Sequence, residues 1–264
     1  MKQKIHQIKY YFKHLAKAKS RLGHGVHSPF VYDLIEQVFN HNGDYYIFNR
    51  IEKTRESLLK NHKTIEIEDF GAGSAVNKSN IRSISSIAKS ALLDKDFSQL
   101  LFRLVNRFQP KTIIELGSSL GLTSAYLSSA CKSSSLYTFE GSPEIAAIAN
   151  RNLKHLKIKN TKLIIGEFDL KLAPILEEIE TVDFAFIDGN HQYEPSIRYF
   201  EMLLKKSTPN SVFVFDDIYW SEGMTKAWHE IIARPEVVVS IDLYRMGLVF
   251  FRKESQKENF KVLF

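Results

Sequence analysis

The sequence predicts an α/β fold: a mostly parallel seven-stranded sheet with an antiparallel last strand, preceded by a helical amino-terminal extension. Three observations lead there. From about residue 97 onward, short apolar runs alternate with amphipathic stretches. Strand and helix at this regularity require a parallel sheet covered on both faces. The runs themselves, such as Val212 to Phe215, are far too short to cross a bilayer and have the length of buried strands. The last two, Val237 to Ile241 and Leu248 to Phe251, leave no room for a helix between them, so they pair antiparallel.

The elements follow in order. Ile5, Ile8, Phe12 and Leu15 recur at helical spacing and predict an amphipathic first helix that docks on the core and leaves a cationic face in solvent, with RNA or an anionic membrane surface as the alternative partner of the helix. The loop Gly23-His24-Gly25-Val26-His27-Ser28-Pro29 ends it, and a second helix begins at Phe30. His24 and His27 have no third ligand nearby, which argues against a metal there. The stretch Asp69-Phe70-Gly71-Ala72-Gly73-Ser74 has the composition of a nucleotide-binding turn, but no second strand follows it, so it is read as a structural turn. Leu100, Leu101, Leu104, Val105 and Phe108 mark a helix that Pro110 ends. Strands are then expected at Thr112 to Leu116, Leu136 to Phe139, Leu163 to Ile165, Phe184 to Ile187 and Val212 to Phe215, before the closing pair. The expected organisation is a mainly helical extension over 1–96, a ligand-binding domain over 97–254 and a tail over 255–264.

Composition narrows the class. The 264 residues, 44% apolar and 25% charged, are ordinary globular proportions, which excludes a disordered or fibrous chain. The single cysteine, Cys131, excludes a disulfide framework and a cysteine-rich zinc site and fits a reducing compartment. Lysines interrupt the apolar residues of the amino terminus, so it lacks the continuous core of a secretion signal, and a cytoplasmic location is expected. The net charge of +6 is concentrated in one place. Lys2, Lys4, Lys9, Lys13, Lys17, Lys19 and Arg21 all precede the first acid, Asp33.

Function is sought at the carboxyl ends of the strands, where open parallel sheets bind ligands. The first predicted strand runs into Glu115-Leu116-Gly117-Ser118-Ser119-Leu120-Gly121-Leu122-Thr123. Gly117 lets the backbone approach a ligand closely, and Gly121 lets the next helix pack close. The G-x-G-x-x-G spacing that seats a pyrophosphate is missing, which disfavours a dinucleotide. Glu140 stands twenty-three positions after Gly117, where a carboxylate accepts from ribose hydroxyls, so an adenosine-type ligand without a diphosphate is the candidate. Phe168 and Asp169 end the third strand and offer a ring face and an acceptor to an adenine. The fourth and fifth strands end in Asp188-Gly189-Asn190-His191 and Asp216-Asp217-Ile218-Tyr219-Trp220. Carboxylates so placed need a cation or protons to offset their repulsion, and oxygen-only ligation selects a hard ion such as Mg2+. Alternatively, Asp188 and Asp217 cap the helices that follow.

These residues resemble class I S-adenosylmethionine-dependent methyltransferases, and within them the small metal-dependent O-methyltransferases of the catechol and caffeoyl-CoA type. The resemblance covers about residues 97 to 252. It implies a Rossmann-like fold and methyl transfer from S-adenosylmethionine to an oxygen of a small or medium-sized hydroxylated acceptor. The resemblance assigns Glu115, Gly117, Ser119, Gly121, Thr123, Glu140, Phe168, Asp169 and Asp188 to the cofactor. It assigns Asp188, Asp216 and Asp217 to a divalent metal such as Mg2+, Asp217 standing where the catechol enzymes usually have asparagine. His191 replaces the family's lysine as the base, with Asp188 beside it, and an imidazole suits that role near neutrality. Tyr219 and Trp220 are candidate walls for an aromatic or sugar acceptor. The segment Asp188-Gly-Asn-His-Gln-Tyr193 also resembles a broader bacterial methyltransferase signature with unassigned acceptors. Cys131 reads as apolar filler. Two rivals stay open: an RNA methyltransferase using the basic first helix, and a non-catalytic binding module. A homodimer is also compatible with the sequence.

Overall fold

Burial along the whole of Phe184–Ile187 and Val212–Phe215 accounts for their unbroken apolar composition, since a strand covered on both faces leaves no position for a polar side chain. These strands belong to a computed structural model that describes residues 2–67 and 81–264. The expected turn at Asp69 to Ser74 lies outside the described residues.

The chain begins with α1 (Lys2–Lys17), α2 (Pro29–Leu34), which runs on into one π-turn at Ile35–Phe39, and α3 (Tyr46–Leu59). Short strands β1 (Thr64–Glu66) and β2 (Ile81–Ser83) pair antiparallel, followed by α4 (Ile84–Ala91) and α5 (Lys95–Phe108). Strand and helix then alternate through β3 (Thr112–Leu116), α6 (Leu122–Ala130), β4 (Ser135–Glu140), α7 (Pro143–His155), β5 (Thr161–Ile165) and α8 (Phe168–Glu178). The alternation continues with β6 (Phe184–Ile187), α9 (Tyr193–Leu204), β7 (Val212–Phe215) and α10 (Glu222–Ala233). The last strands are β8 (Val239–Asp242), β9 (Gly247–Phe250) and β10 (Glu258–Lys261).

Two compact units result. Asn42–Glu178 forms one, and Met1–His41 with Ile179–Phe264 forms the other. In the first unit β3, β4 and β5 are parallel neighbours, with Leu116 beside Phe139 and Glu140 beside Ile165. Phe48, Ile51, Phe102, Leu122 and Tyr126 form its helical core. Gly121 has φ 79°, and an added Cβ would lie 3.1 Å from Ala149 of α7, so the close helix packing expected of this glycine is realised.

In the second unit the order is β10-β8-β9-β7-β6, with β9 antiparallel to both β7 and β8. The main sheet therefore has eight strands, mostly parallel, one more than the sequence predicts. The extra strand is β10, assigned above to the tail; it lies parallel to β8 and leaves Glu258 and Asn259 exposed, so it lacks the buried apolar signature. Among the described residues no helix is long and apolar enough to cross a membrane.

The first helix reverses its expected orientation. The apolar residues Ile5, Ile8, Phe12 and Leu15 are exposed, and the side of α1 that meets its unit carries His6, Tyr10 and His14. His6 bonds Thr225, Tyr10 stacks on Tyr219 at 4.8 Å, and buried His14 lies 3.1 Å from Asp242. Burial alone would raise the Asp242 pKa, but bonds from His14 and Lys261 outweigh it and hold it at about 2. The anchorage is polar because an ionised buried carboxylate demands these partners.

Candidate active site

The first unit gathers three strand ends around Glu140. After β3 the chain turns at Gly117 (φ 100°), and the amides of Gly117 and Ser118 both donate to the Phe139 carbonyl, at 3.0 and 2.9 Å. Ser119, also at positive φ, donates its amide to the Glu140 carboxylate at 2.9 Å. The other Glu140 oxygen accepts from the Ser142 amide at 3.0 Å, and its carbonyl accepts from Gly166 at 2.9 Å. Thus the glycine turn, the acid twenty-three positions later and the turn before Phe168 are tied together by hydrogen bonds. Phe168 stands edge to face with Phe139 at 6.4 Å, Asp169 follows in the first turn of α8, and Thr123 lies in the first turn of α6.

Two hydroxyls in this turn, Ser118 Oγ and Ser119 Oγ, are shielded from solvent and have no hydrogen-bond partner among the described residues. Polar atoms buried in this way take a partner from water, an ion or a ligand. An adenosine-type cofactor fits this constellation of turn, carboxylate, ring and unpartnered hydroxyls.

Glu115 takes a different place from the one expected of it. Its side chain is fully enclosed, and Ser124 and Thr138 both donate to one of its oxygens. Burial pushes its pKa up to about 7 against those two bonds. One of its oxygens fastens α6 to β4, and the other, Oε1, is buried without a hydrogen-bond partner among the described residues, like the hydroxyls of Ser118 and Ser119.

The second unit holds the residues expected to act as proton acceptor and metal ligands. Asp188 follows β6, and His191 Nε2 lies 3.5 Å from its carboxylate. The Asp216 amide donates to the Ile187 carbonyl at 3.0 Å, which fixes the two strand ends side by side. Asn190 and Asp217 have φ values of 52° and 51°, a strained conformation that concentrates at functional loops. The capping alternative for Asp188 and Asp217 is not realised: Gln192 and Ser221 occupy the N-cap positions of α9 and α10. Ser221 also donates to the His191 carbonyl, so the loop that carries His191 is held by the next helix.

Asp216 is buried, and burial followed by the charges of Asp188 and Asp217 raises its pKa, with Arg245 and His191 opposing. The guanidinium Nε of Arg245 lies 3.4 Å from Asp216 and 4.0 Å from Asp217. Sequence reasoning missed Arg245, although the strand register implies it. β9 runs antiparallel to β7 with Gly247 opposite Phe215, so the residues before Gly247 must lie beside those after Phe215. This arrangement does not fit the expected divalent ion on Asp188, Asp216 and Asp217. A cationic side chain meets two of the carboxylates, and no group of three His, Cys, Asp or Glu with ligating geometry occurs among the described residues.

The two aromatic candidates separate. Tyr219 is buried and donates its hydroxyl to Asp242, so it belongs to the anchorage of α1 and cannot wall a substrate. Trp220 is 43% exposed, with its ring 6.3 Å from that of His191. Cys131 is buried, as expected of filler.

The alternating fold, the glycine turn bound to its acid and the acidic strand ends define a class I methyltransferase fold. Residues 114–218 match the family model of a methyltransferase domain. The uncharacterized protein R132 of Acanthamoeba polyphaga mimivirus is 32% identical over 90 residues, which is 33% of this chain and 38% of that protein's length. Among solved structures, the O-methyltransferase TomG from Streptomyces achromogenes, involved in tomaymycin synthesis and crystallised with SAM, has a TM-score of 0.53 at 21% identity, covering 61% of this chain and 82% of its own. The Podospora anserina methyltransferase PaMTH1, bound to SAH, has a TM-score of 0.60 at 13% identity, covering 86% and 97%. At these identities the structures establish the fold alone.

Proposed function

We propose that the protein transfers a methyl group from S-adenosylmethionine to a hydroxyl oxygen of a small or medium-sized acceptor. The observation that carries this reading is the Ser119 amide on the Glu140 carboxylate, beside two buried unpartnered hydroxyls. When bound, S-adenosylmethionine supplies a methyl group made electrophilic by its sulfonium. Gly117 would admit its backbone contact, Ser118 and Ser119 would satisfy their hydroxyls on its polar end, Glu140 would accept from the ribose, and Phe168 and Asp169 would hold the adenine. His191 would take the acceptor's proton at Nε2, with Asp188 orienting the imidazole. The exposed Trp220 would offer a flat face to the acceptor. Arg245 supplies the positive charge that Asp216 and Asp217 require.

Calorimetry with S-adenosylhomocysteine tests the reading. The wild type should bind, and Glu140→Ala should lose roughly 10- to 100-fold in affinity, the worth of hydrogen bonds to a charged group. Failure of the wild type to bind, or an unchanged affinity in the variant, refutes it.

A further inference from the structure

An amphipathic helix on a protein surface ordinarily turns its apolar stripe inward. α1 does the opposite. Ile5, Ile8, Phe12 and Leu15 fall within an arc of about 80° at 3.6 residues per turn, and they are 59%, 56%, 63% and 42% exposed. The opposite side is the fastened one: the side chains of Gln3 and Gln7 donate to the Trp220 carbonyl, Tyr244 donates to the Gln7 carbonyl, and His14 meets Asp242. The helix cannot roll its apolar stripe inward without breaking these contacts.

The rim of the stripe is cationic. Lys2, Lys9 and Lys13 lie along one shoulder and Lys4 along the other, all exposed. Residues 2–32 contain no acid to neutralise them. A second copy laid symmetrically on this face would set lysine against lysine. A nucleic acid would use the lysines but gain nothing from exposed isoleucine and leucine. An anionic bilayer surface satisfies both features: acyl chains take the apolar stripe while phosphate headgroups take the lysine shoulders.

We propose that α1 is an in-plane anchor that docks the protein on an anionic lipid surface. The inference is independent of the methyl-transfer reading.

The test is co-sedimentation of the full chain with vesicles of equal parts phosphatidylglycerol and phosphatidylcholine, against vesicles of phosphatidylcholine alone. Binding should require phosphatidylglycerol and weaken with salt. Each of Lys4→Gln, Lys9→Gln and Lys13→Gln should lower the partition coefficient about fivefold, the equivalent of roughly 1 kcal/mol per charge. Ile8→Asp combined with Phe12→Asp should lower it at least tenfold with the circular dichroism spectrum unchanged, because both side chains are exposed. No partition of the wild type, or equal partition of the double variant, overturns the proposal. So does a dimer in analytical ultracentrifugation that Phe12→Asp dissolves without any vesicle binding, or RNA binding that ignores Phe12→Asp in a protein that leaves the vesicles empty.

Discussion

Glu115→Gln separates a core carboxyl from a cofactor ligand and has a magnitude that the structure supplies. Burial raises the Glu115 pKa from 4.5 to about 7 in the folded chain. An acid raised on folding binds its proton more tightly in the native state, so its contribution is fully present below 4.5 and is lost as pH rises through 7. The difference amounts to about 3 kcal/mol. Glutamine keeps an acceptor for Ser124 and Thr138 and cannot ionise. Other groups titrate in the same range, but they do so equally in both proteins. The stability of the wild type relative to the variant should therefore fall by about 3 kcal/mol between about pH 4 and about pH 8. Urea unfolding followed by circular dichroism, at one-unit steps of pH, measures it. Parallel curves would show that the carboxyl is not confined as described, and a large loss of S-adenosylhomocysteine affinity in the folded variant would return Glu115 to the cofactor.

Gly117→Val places a branched side chain at φ 100° in the turn, and it should abolish S-adenosylhomocysteine binding in calorimetry; unchanged affinity would remove the turn from the site. His191→Ala should depress turnover more at pH 6.5 than at pH 9, where the acceptor hydroxyl ionises more readily unaided, and an equal loss at both refutes the proton-acceptor role. Arg245→Met should destabilise the fold by about 2 kcal/mol, and by more as pH rises, since Asp216 then ionises without its counter-charge; urea midpoints that drop equally at pH 5 and pH 8 contradict this. Asp242 is held at about 2, so its stabilisation is present above the ordinary aspartate range and is lost as pH falls towards 2. Asp242→Asn should abolish that acid limb in thermal melts, and an unchanged limb would assign it to other carboxyls.

The strand ends were legible because a strand, a helix and a second strand impose a nearly fixed spacing: Gly117 and Glu140 are adjacent in space for the reason that they are twenty-three apart in sequence. Asp188 and Asp216 were legible on the same ground. Arg245 was not, because its place depends on the register of an antiparallel pair rather than on any local pattern. The orientation of α1 was misjudged because periodicity reveals that an apolar stripe exists, not which stripe is fastened. His6, Tyr10 and His14 recur at helical spacing as well, and the demand of buried Asp242 for charged partners decided between the two. Glu115 shares a motif with Gly117, yet its fate was set by Ser124 and Thr138 on two other elements.

The Lys19 amide reaches the Lys261 carbonyl, Lys19 bridges Val262, and Lys261 shares Asp242 with His14. A clasp of this kind makes distant stretches of chain answerable to each other. Trimming residues 258–264 would unlatch a helix some two hundred and forty positions upstream, and a fusion tag joined after Phe264 would press on the same latch.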